Sequence, residues 1–253
     1  SNPTGCTYTD DQLLAIANVA RKYRLILLSD EIYGEVHFEG RHKSIARYYP
    51  EGTIISTGLS KWAGAGGWRL GTFIFPRELR PLQDAMAIIA SETYTATSAP
   101  IQHAAIAAFN GGDDIDEYLK QSRRVLKVVG EYMHRRLSDM GAVVQKPEGA
   151  FYLFPDFSGF REQLASKDIK TSQALCQALL ENTGVAILPA SDFGFVPDHL
   201  AARLAFVDFD GAESLELAGG DYAEQELGDD FVKQACPRLV TAMDKMEQWL
   251  NSL

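Results

Sequence analysis

Two short β-branched runs, Gly52-Thr53-Ile54-Ile55 and Thr72-Phe73-Ile74-Phe75, bracket the stretch Ser56-Thr57-Gly58-Leu59-Ser60-Lys61-Trp62-Ala63-Gly64-Ala65-Gly66-Gly67-Trp68-Arg69-Leu70-Gly71. A lysine set among small residues just beyond a strand, with an arginine eight positions later and glycines between, points to a backbone that comes close to something small and anionic. Whatever this chain folds into must place that loop at a strand end.

The residues before it supply the neighbouring elements. Thr9-Asp10-Asp11-Gln12 reads as a capping box, and Leu13, Leu14, Ile16, Ala17 and Ala20 repeat at helical spacing, which predicts a helix over 9–23. Leu25-Ile26-Leu27-Leu28 then reads as a buried parallel strand that ends in the carboxylates Asp30 and Glu31. Strands at 25–29, 52–57 and 71–75 interleaved with a helix and loops predict α/β architecture, in which ligands gather at the carboxyl ends of parallel strands. Asp30 and Lys61 would both lie there.

Further helices are expected at 77–91 and 99–109, and Gly111-Gly112 breaks the chain before a long helix over 114–139. Beyond Gly141 the texture changes to strand candidates at 142–145, 151–155, 185–188 and 202–207 with helices at 170–182 and 229–251, a smaller α+β domain. The expected division is 1–112, part of a large domain with a parallel-type sheet, and 113–253, a small C-terminal domain.

Composition narrows the function classes. With 253 residues, 46% hydrophobic and 23% charged, the chain can bury a sizeable core. No apolar run is long enough to span a bilayer and nothing at the start resembles a signal peptide, so no membrane partner is expected and the cytoplasm is the default compartment. A net charge of −10 argues against nucleic acid as a general partner. Nine acidic residues and no Lys or Arg fall within 208–230, which reads as a solvated surface insertion. Cys6, Cys176 and Cys236 fit no zinc spacing and are expected to be reduced thiols, and the five histidines form no metal-binding group. No metal is expected. Gly64-Ala65-Gly66-Gly67 lacks the spacing and the following acidic residue of a dinucleotide-binding loop.

Five motifs in order carry a resemblance: Asn2-Pro3-Thr4-Gly5; Asp30-Glu31-Ile32-Tyr33; Ser60-Lys61 with Gly67-Trp68-Arg69-Leu70-Gly71; Pro147-Glu148-Gly149-Ala150-Phe151-Tyr152; and Arg203-Leu204-Ala205-Phe206. Over nearly its whole length the chain resembles the second part of a fold-type I, pyridoxal-phosphate-dependent aminotransferase of class I/II. The resemblance implies reversible amino transfer between an amino acid and a 2-oxo acid, with pyridoxal 5'-phosphate as cofactor. It also implies a homodimer, with residues 95–102 near the subunit contact.

Carried over residue by residue, the resemblance makes Lys61 the Schiff-base lysine and proton shuttle, Asp30 the partner of the pyridine nitrogen, and Tyr33 and Asn2 the partners of the ring 3' oxygen. Arg69 and Ser60 would hold the phosphate, and Arg203 would grip the substrate α-carboxylate. Each residue alone also has a plainer reading: Lys61 as a surface charge, Asp30 as a strand-end cap and Arg203 as a solvent-facing arginine in a strand. Trp62 and Trp68 read as packing residues. Where many relatives carry a serine three residues before the lysine, this chain has Gly58, which leaves one phosphate contact to Thr57 or Ser56.

Three functional readings stay open on the sequence. The first is an aminotransferase of which this chain, beginning at Ser1-Asn2 without methionine, is a processed form or a piece. The second is a lyase or synthase that uses the same motif set. The third is a non-catalytic interaction module, since the aromatic residue and amides that relatives supply upstream of the asparagine motif are not in the sequence.

Overall fold

A computed structural model describes residues 2–253. Packing groups the chain into two compact units, Tyr8–Lys120 and Ser1–Thr7 with Gln121–Leu253. This grouping differs from 1–112 and 113–253 most at the start of the chain. There Gly5 O accepts hydrogen bonds from Glu148 N (2.9 Å) and Gly149 N (3.1 Å), and Glu148 Oε2 accepts from Thr7 N (2.9 Å) and Thr7 Oγ1 (2.6 Å).

The unit Tyr8–Lys120 opens with helix α1, Asp10–Tyr23. Its capping box forms as the sequence predicts: Thr9 Oγ1 accepts from Gln12 N and Gln12 Oε1 accepts from Thr9 N. Leu13, Ala17 and Ala20, one stripe of the helix, are buried against Ile45 and Tyr49.

Strands β1 (Leu27–Asp30), β2 (Thr53–Gly58) and β3 (Gly71–Ile74) form a sheet in the order β1-β2-β3. β1 and β2 are parallel with Asp30 opposite Ser56, so Asp30 lies at the carboxyl end as expected. β3 runs antiparallel to β2, with Gly71 opposite Gly58, because the loop 59–70 returns directly with no crossover helix. The first strand is shorter and more open than predicted. Leu25 N bonds back to Ala20 O (2.9 Å) and Arg24 sits in the left-handed region (φ 53°), so the close of α1 consumes the first apolar residues. Leu28, expected inside, is 64% exposed.

Helices α2 (Arg80–Thr93) and α3 (Ala99–Asn110) follow, and the division between the units falls within the long helix α4 (Asp113–Asp139).

In the other unit, β4 (Tyr152–Leu153), β5 (Leu188–Pro189) and β6 (Ala202–Ala205) form an antiparallel sheet in the order β4-β6-β5. These strands are shorter than the apolar runs that predicted them. Pro155 has no N–H to extend β4, and 142–145 contributes a single bridge, Val143 to Asp156. Helices α5 (Arg161–Ser166), α6 (Ser172–Thr183), α7 (Gly211–Gly219), α8 (Asp229–Ala235) and α9 (Pro237–Asn251) accompany the sheet. The single helix expected over 229–251 breaks at Cys236-Pro237, where proline cannot donate to the preceding turn. Phe157, Leu164, Leu175, Leu179, Leu200, Phe206 and Met243 form the fully buried interior.

The acidic segment 208–230 is more ordered than a solvated insertion. Asp210 caps α7 by accepting from Glu213 N (2.9 Å), and Ser214 and Ala218 are buried. Arg124 donates to the carbonyls of Ala218 (3.4 Å), Tyr222 (3.1 Å) and Gln225 (2.8 Å), while Arg135 pairs with Asp229 and Arg238 with Asp208. Arginines outside the segment thus offset its charge.

Candidate active site

The lysine loop is pinned by its apolar residues, which leaves its polar ones to define chemistry. Leu59 (1% exposed) and Trp62 (7% exposed) are buried on either side of Ser60 and Lys61, and Trp62 packs edge-on against Phe109 at 6.3 Å. Trp62 is therefore a packing residue, as the sequence suggests, whereas Trp68 is 46% exposed. Turn hydrogen bonds from Gly64 N to Lys61 O (3.2 Å) and Ala65 N to Leu59 O (3.1 Å) close the loop, and Tyr118 donates its hydroxyl to Trp62 O (2.9 Å). Gly64 takes the left-handed conformation (φ 62°) that lets the chain turn there.

Lys61 Nζ lies 5.8 Å from the centroid of the Tyr33 ring, which brings together the expected amine and phenol. Asp30 ends β1, and its Oδ1 accepts from Ile32 N (3.2 Å). Ser60 is half-buried beside the lysine.

Arg69 also adopts a left-handed backbone (φ 55°), uncommon for a non-glycine residue, and donates from Nη1 to Gly66 O at 2.6 Å. It lines a cavity of about 630 Å³ shared with the hydroxyl residues Ser56, Thr57, Thr72, Tyr94, Thr97 and Ser98. That lining includes an arginine and several hydroxyl-bearing residues beside the apolar Trp68, Phe73 and Ala96, and no Asp or Glu, so it carries no negative side chain to repel an anion. Asp30, Tyr33, Ser60 and Lys61 are not among its lining residues.

In the other unit, Arg203 lies on β6, opposite Leu188 on β5. Its guanidinium carbon sits over the rings of Tyr152 (4.6 Å) and Phe193 (5.1 Å), and Nη1 donates to Asn2 Oδ1 at 2.9 Å. The plain reading of a solvent-facing arginine therefore does not hold. Its Nε is buried and has no hydrogen-bond partner among the described residues. An orphaned charged donor is costly, and a carboxylate would satisfy it.

Three features were not legible in the sequence. Phe193 has no periodic or motif signal that pairs it with Arg203. The hydroxyls of Tyr94, Thr97 and Ser98 are separated from Arg69 by α2. Glu31, read as part of a strand-end carboxylate pair and of the Asp30–Tyr33 motif without a role of its own, gathers three side-chain donors from residues 29, 42 and 44.

Residues 1–210 match the family model for aminotransferase class I and II. The chain is 37% identical over 225 residues to a probable N-acetyl-LL-diaminopimelate aminotransferase of Bacillus subtilis, covering 86% of this chain and 53% of that protein. It is 35% identical over 223 residues to an aspartate aminotransferase of Geobacillus stearothermophilus, with the same coverage of 86% and 53%. Among solved structures, the aromatic aminotransferase of Pyrococcus horikoshii superposes with a TM-score of 0.77 at 28% identity, over 99% of this chain and 58% of that one. The chain spans about half the length of the curated relatives it matches.

Proposed function

We propose, from the premise that the chain belongs to the aminotransferase class I and II family, that it carries the lysine-bearing part of a pyridoxal-phosphate-dependent enzyme moving amino groups between an amino acid and a 2-oxo acid. The single observation that carries this reading is the Lys61–Arg69 loop. It sets an amine beside the Tyr33 ring and, eight residues on, a guanidinium in a cavity of hydroxyl donors without carboxylates. An amine and a guanidinium carried on one loop are the groups that an aldehyde-bearing aromatic phosphate would need.

In this reading Arg69 holds the phosphate, Ser60 adds a hydroxyl as the family resemblance implies, and Thr57 and Ser56, which line the Arg69 cavity, supply hydroxyls that position 58 lacks. Asp30 keeps a proton on the pyridine nitrogen, as a carboxylate beside a basic ring nitrogen does. Tyr33 and Asn2 hold the 3' oxygen. When bound, pyridoxal phosphate supplies an electron sink for the charge left on substrate Cα after proton loss. Lys61 would hold the cofactor aldehyde until the substrate amine displaces it, and its freed amine would then move the proton at Cα, while Arg203, whose Nε has no partner among the described residues, would hold the substrate carboxylate and so orient the Cα–H bond. The enzyme works in the cytoplasm as a homodimer in which residues 95–102 lie at the contact. Thr95, with a left-handed backbone (φ 65°), marks a shaped loop there.

The test uses the full-length protein with an amino donor and 2-oxoglutarate, following conversion of the aldehyde form of the cofactor to its amine form by absorbance. Lys61→Ala is expected to lower turnover by about a hundredfold to ten-thousandfold and to abolish the borohydride-trapped bond between protein and cofactor. Ammonia and pyruvate appearing while the aldehyde form persists would point to elimination instead.

A further inference from the structure

We propose that Glu31 is a positioning residue that sets the place of Asp30 and Tyr33, and through them the affinity for the cofactor; this rests on the assignment of those two residues above. Glu31 stands between them in the turn that leaves β1. Its side chain is only 10% exposed and its carboxylate accepts from Ser29 Oγ (2.9 Å), Ser44 Oγ (2.6 Å) and His42 Nε2 (2.8 Å). The main chain is held as well, with Glu31 N donating to Ser56 O and Gly34 N to Glu31 O, both at 2.8 Å.

The donors come from two segments, β1 and the stretch that carries His42 and Ser44, which makes the carboxylate a tie. Ser29 belongs to β1 itself. Ser44 accepts from Ala46 N (3.1 Å) at the head of the turn Ile45–Arg47, whose Ile45 is buried against Leu13 and Ala17 of α1. His42 packs so closely that a Cβ on Gly34 would meet its Cδ2 at 2.9 Å. Glu31 therefore fastens the turn carrying Asp30 and Tyr33 to a segment rooted in the core.

Burial alone would raise the Glu31 pKa. The hydrogen bonds from His42, Ser44 and Ser29 outweigh it and hold the carboxyl below its ordinary value of 4.5, so the tie is charged at neutral pH. Removing the carboxylate leaves two half-buried serine hydroxyls and the more exposed His42 without their acceptor and frees the turn to shift. Affinity at a site held by oriented side chains falls steeply with such shifts.

The experiment measures the dissociation constant for pyridoxal 5'-phosphate, by cofactor absorbance and intrinsic fluorescence, in the full-length protein. Glu31→Ala, Glu31→Gln and Ser44→Ala are compared with wild type, and Glu31→Ala is repeated in a Tyr33→Phe background. Glu31→Ala should weaken binding by about tenfold to a hundredfold, the range typical of losing a partner that orients a binding group, with smaller losses for Glu31→Gln and Ser44→Ala. In the Tyr33→Phe background the loss should shrink, because the tie acts through the residue already altered. Wild-type affinity in Glu31→Ala overturns the role, and an equal loss in both backgrounds overturns its action through Tyr33. If Glu31→Ala does not fold, Ser44→Ala decides, and unchanged affinity there overturns it. A wild-type protein that binds no cofactor overturns the assignment of the site itself, a result seen before any variant is made.

Discussion

A Cβ on Gly58 would lie 2.6 Å from the Leu70 carbonyl oxygen and 3.1 Å from Gly71 Cα, both main-chain atoms at the head of β3. Neither can swing aside as a flexible side chain does, so a serine cannot be accommodated there without moving β3. The missing hydroxyl is thus a consequence of close strand approach, and the hydroxyl-bearing residues that line the cavity with Arg69 come from β2, β3 and the segment beyond α2. Gly58→Ser should destabilise the protein by about 1–3 kcal/mol through overpacking, measured by urea unfolding. A loss below about 0.5 kcal/mol would mean that β3 yields freely. Arg69 shows the opposite economy: its left-handed backbone is a strained choice for a non-glycine residue, kept where its guanidinium lines the cavity.

At the scale of elements, the start of α1 and the places of β2 and β3 were readable, whereas the extent of the other strands was not. The Thr9–Gln12 box places the start of α1 because both of its hydrogen bonds close within one turn. Thr9→Ala should cost about 1 kcal/mol, read as a lowered urea midpoint with an unchanged slope, and an unchanged midpoint would mean that the cap contributes nothing. Strand length depends on which neighbour presents donors and acceptors, and that is not local information. Apolar runs at 25–29, 142–145 and 185–188 therefore predict more strand than forms: a helix cap consumes the first, the second pairs only through Val143, and the third pairs only from Leu188 onward. The break at Pro237 was legible in principle, since proline lacks the N–H that a continuous helix needs. The periodicity on either side concealed it.

At the scale of the whole molecule, the thiols report on the packing of the unit that carries Arg203. Burial pushes Cys176 up to about 12, with the charge of Asp192 adding to it, and burial pushes Cys236 up to about 12 against opposing effects of Ser214 and Arg238. Cys6 is half-buried, with Sγ 2.9 Å from Gln145 Oε1. Of the three free cysteines, no more than one should react with a thiol reagent at pH 8 in the native protein, and all three after denaturation. Fast native labelling of Cys176 or Cys236 would show that this interior opens readily.

The amino-acid sequence by itself determined the α/β pattern, the start of α1 and the order of motifs that carries the family resemblance. Each of these is written in residues a few positions apart or in a motif that survives without its partners. Only the tertiary structure decided that β3 returns antiparallel, that Gly58 is closed to a side chain, that Arg203 stacks on Tyr152 and Phe193 with an Nε that has no partner among the described residues, and that the Glu31 carboxylate accepts from Ser44. These depend on groups brought together by closing loops, and loop closure is governed by the packing of the whole unit rather than by the residues at either end. The loop from Lys61 to Arg69 belongs to both lists: its residues announce an anion, and its buried Leu59 and Trp62 hold it in the shape that presents them.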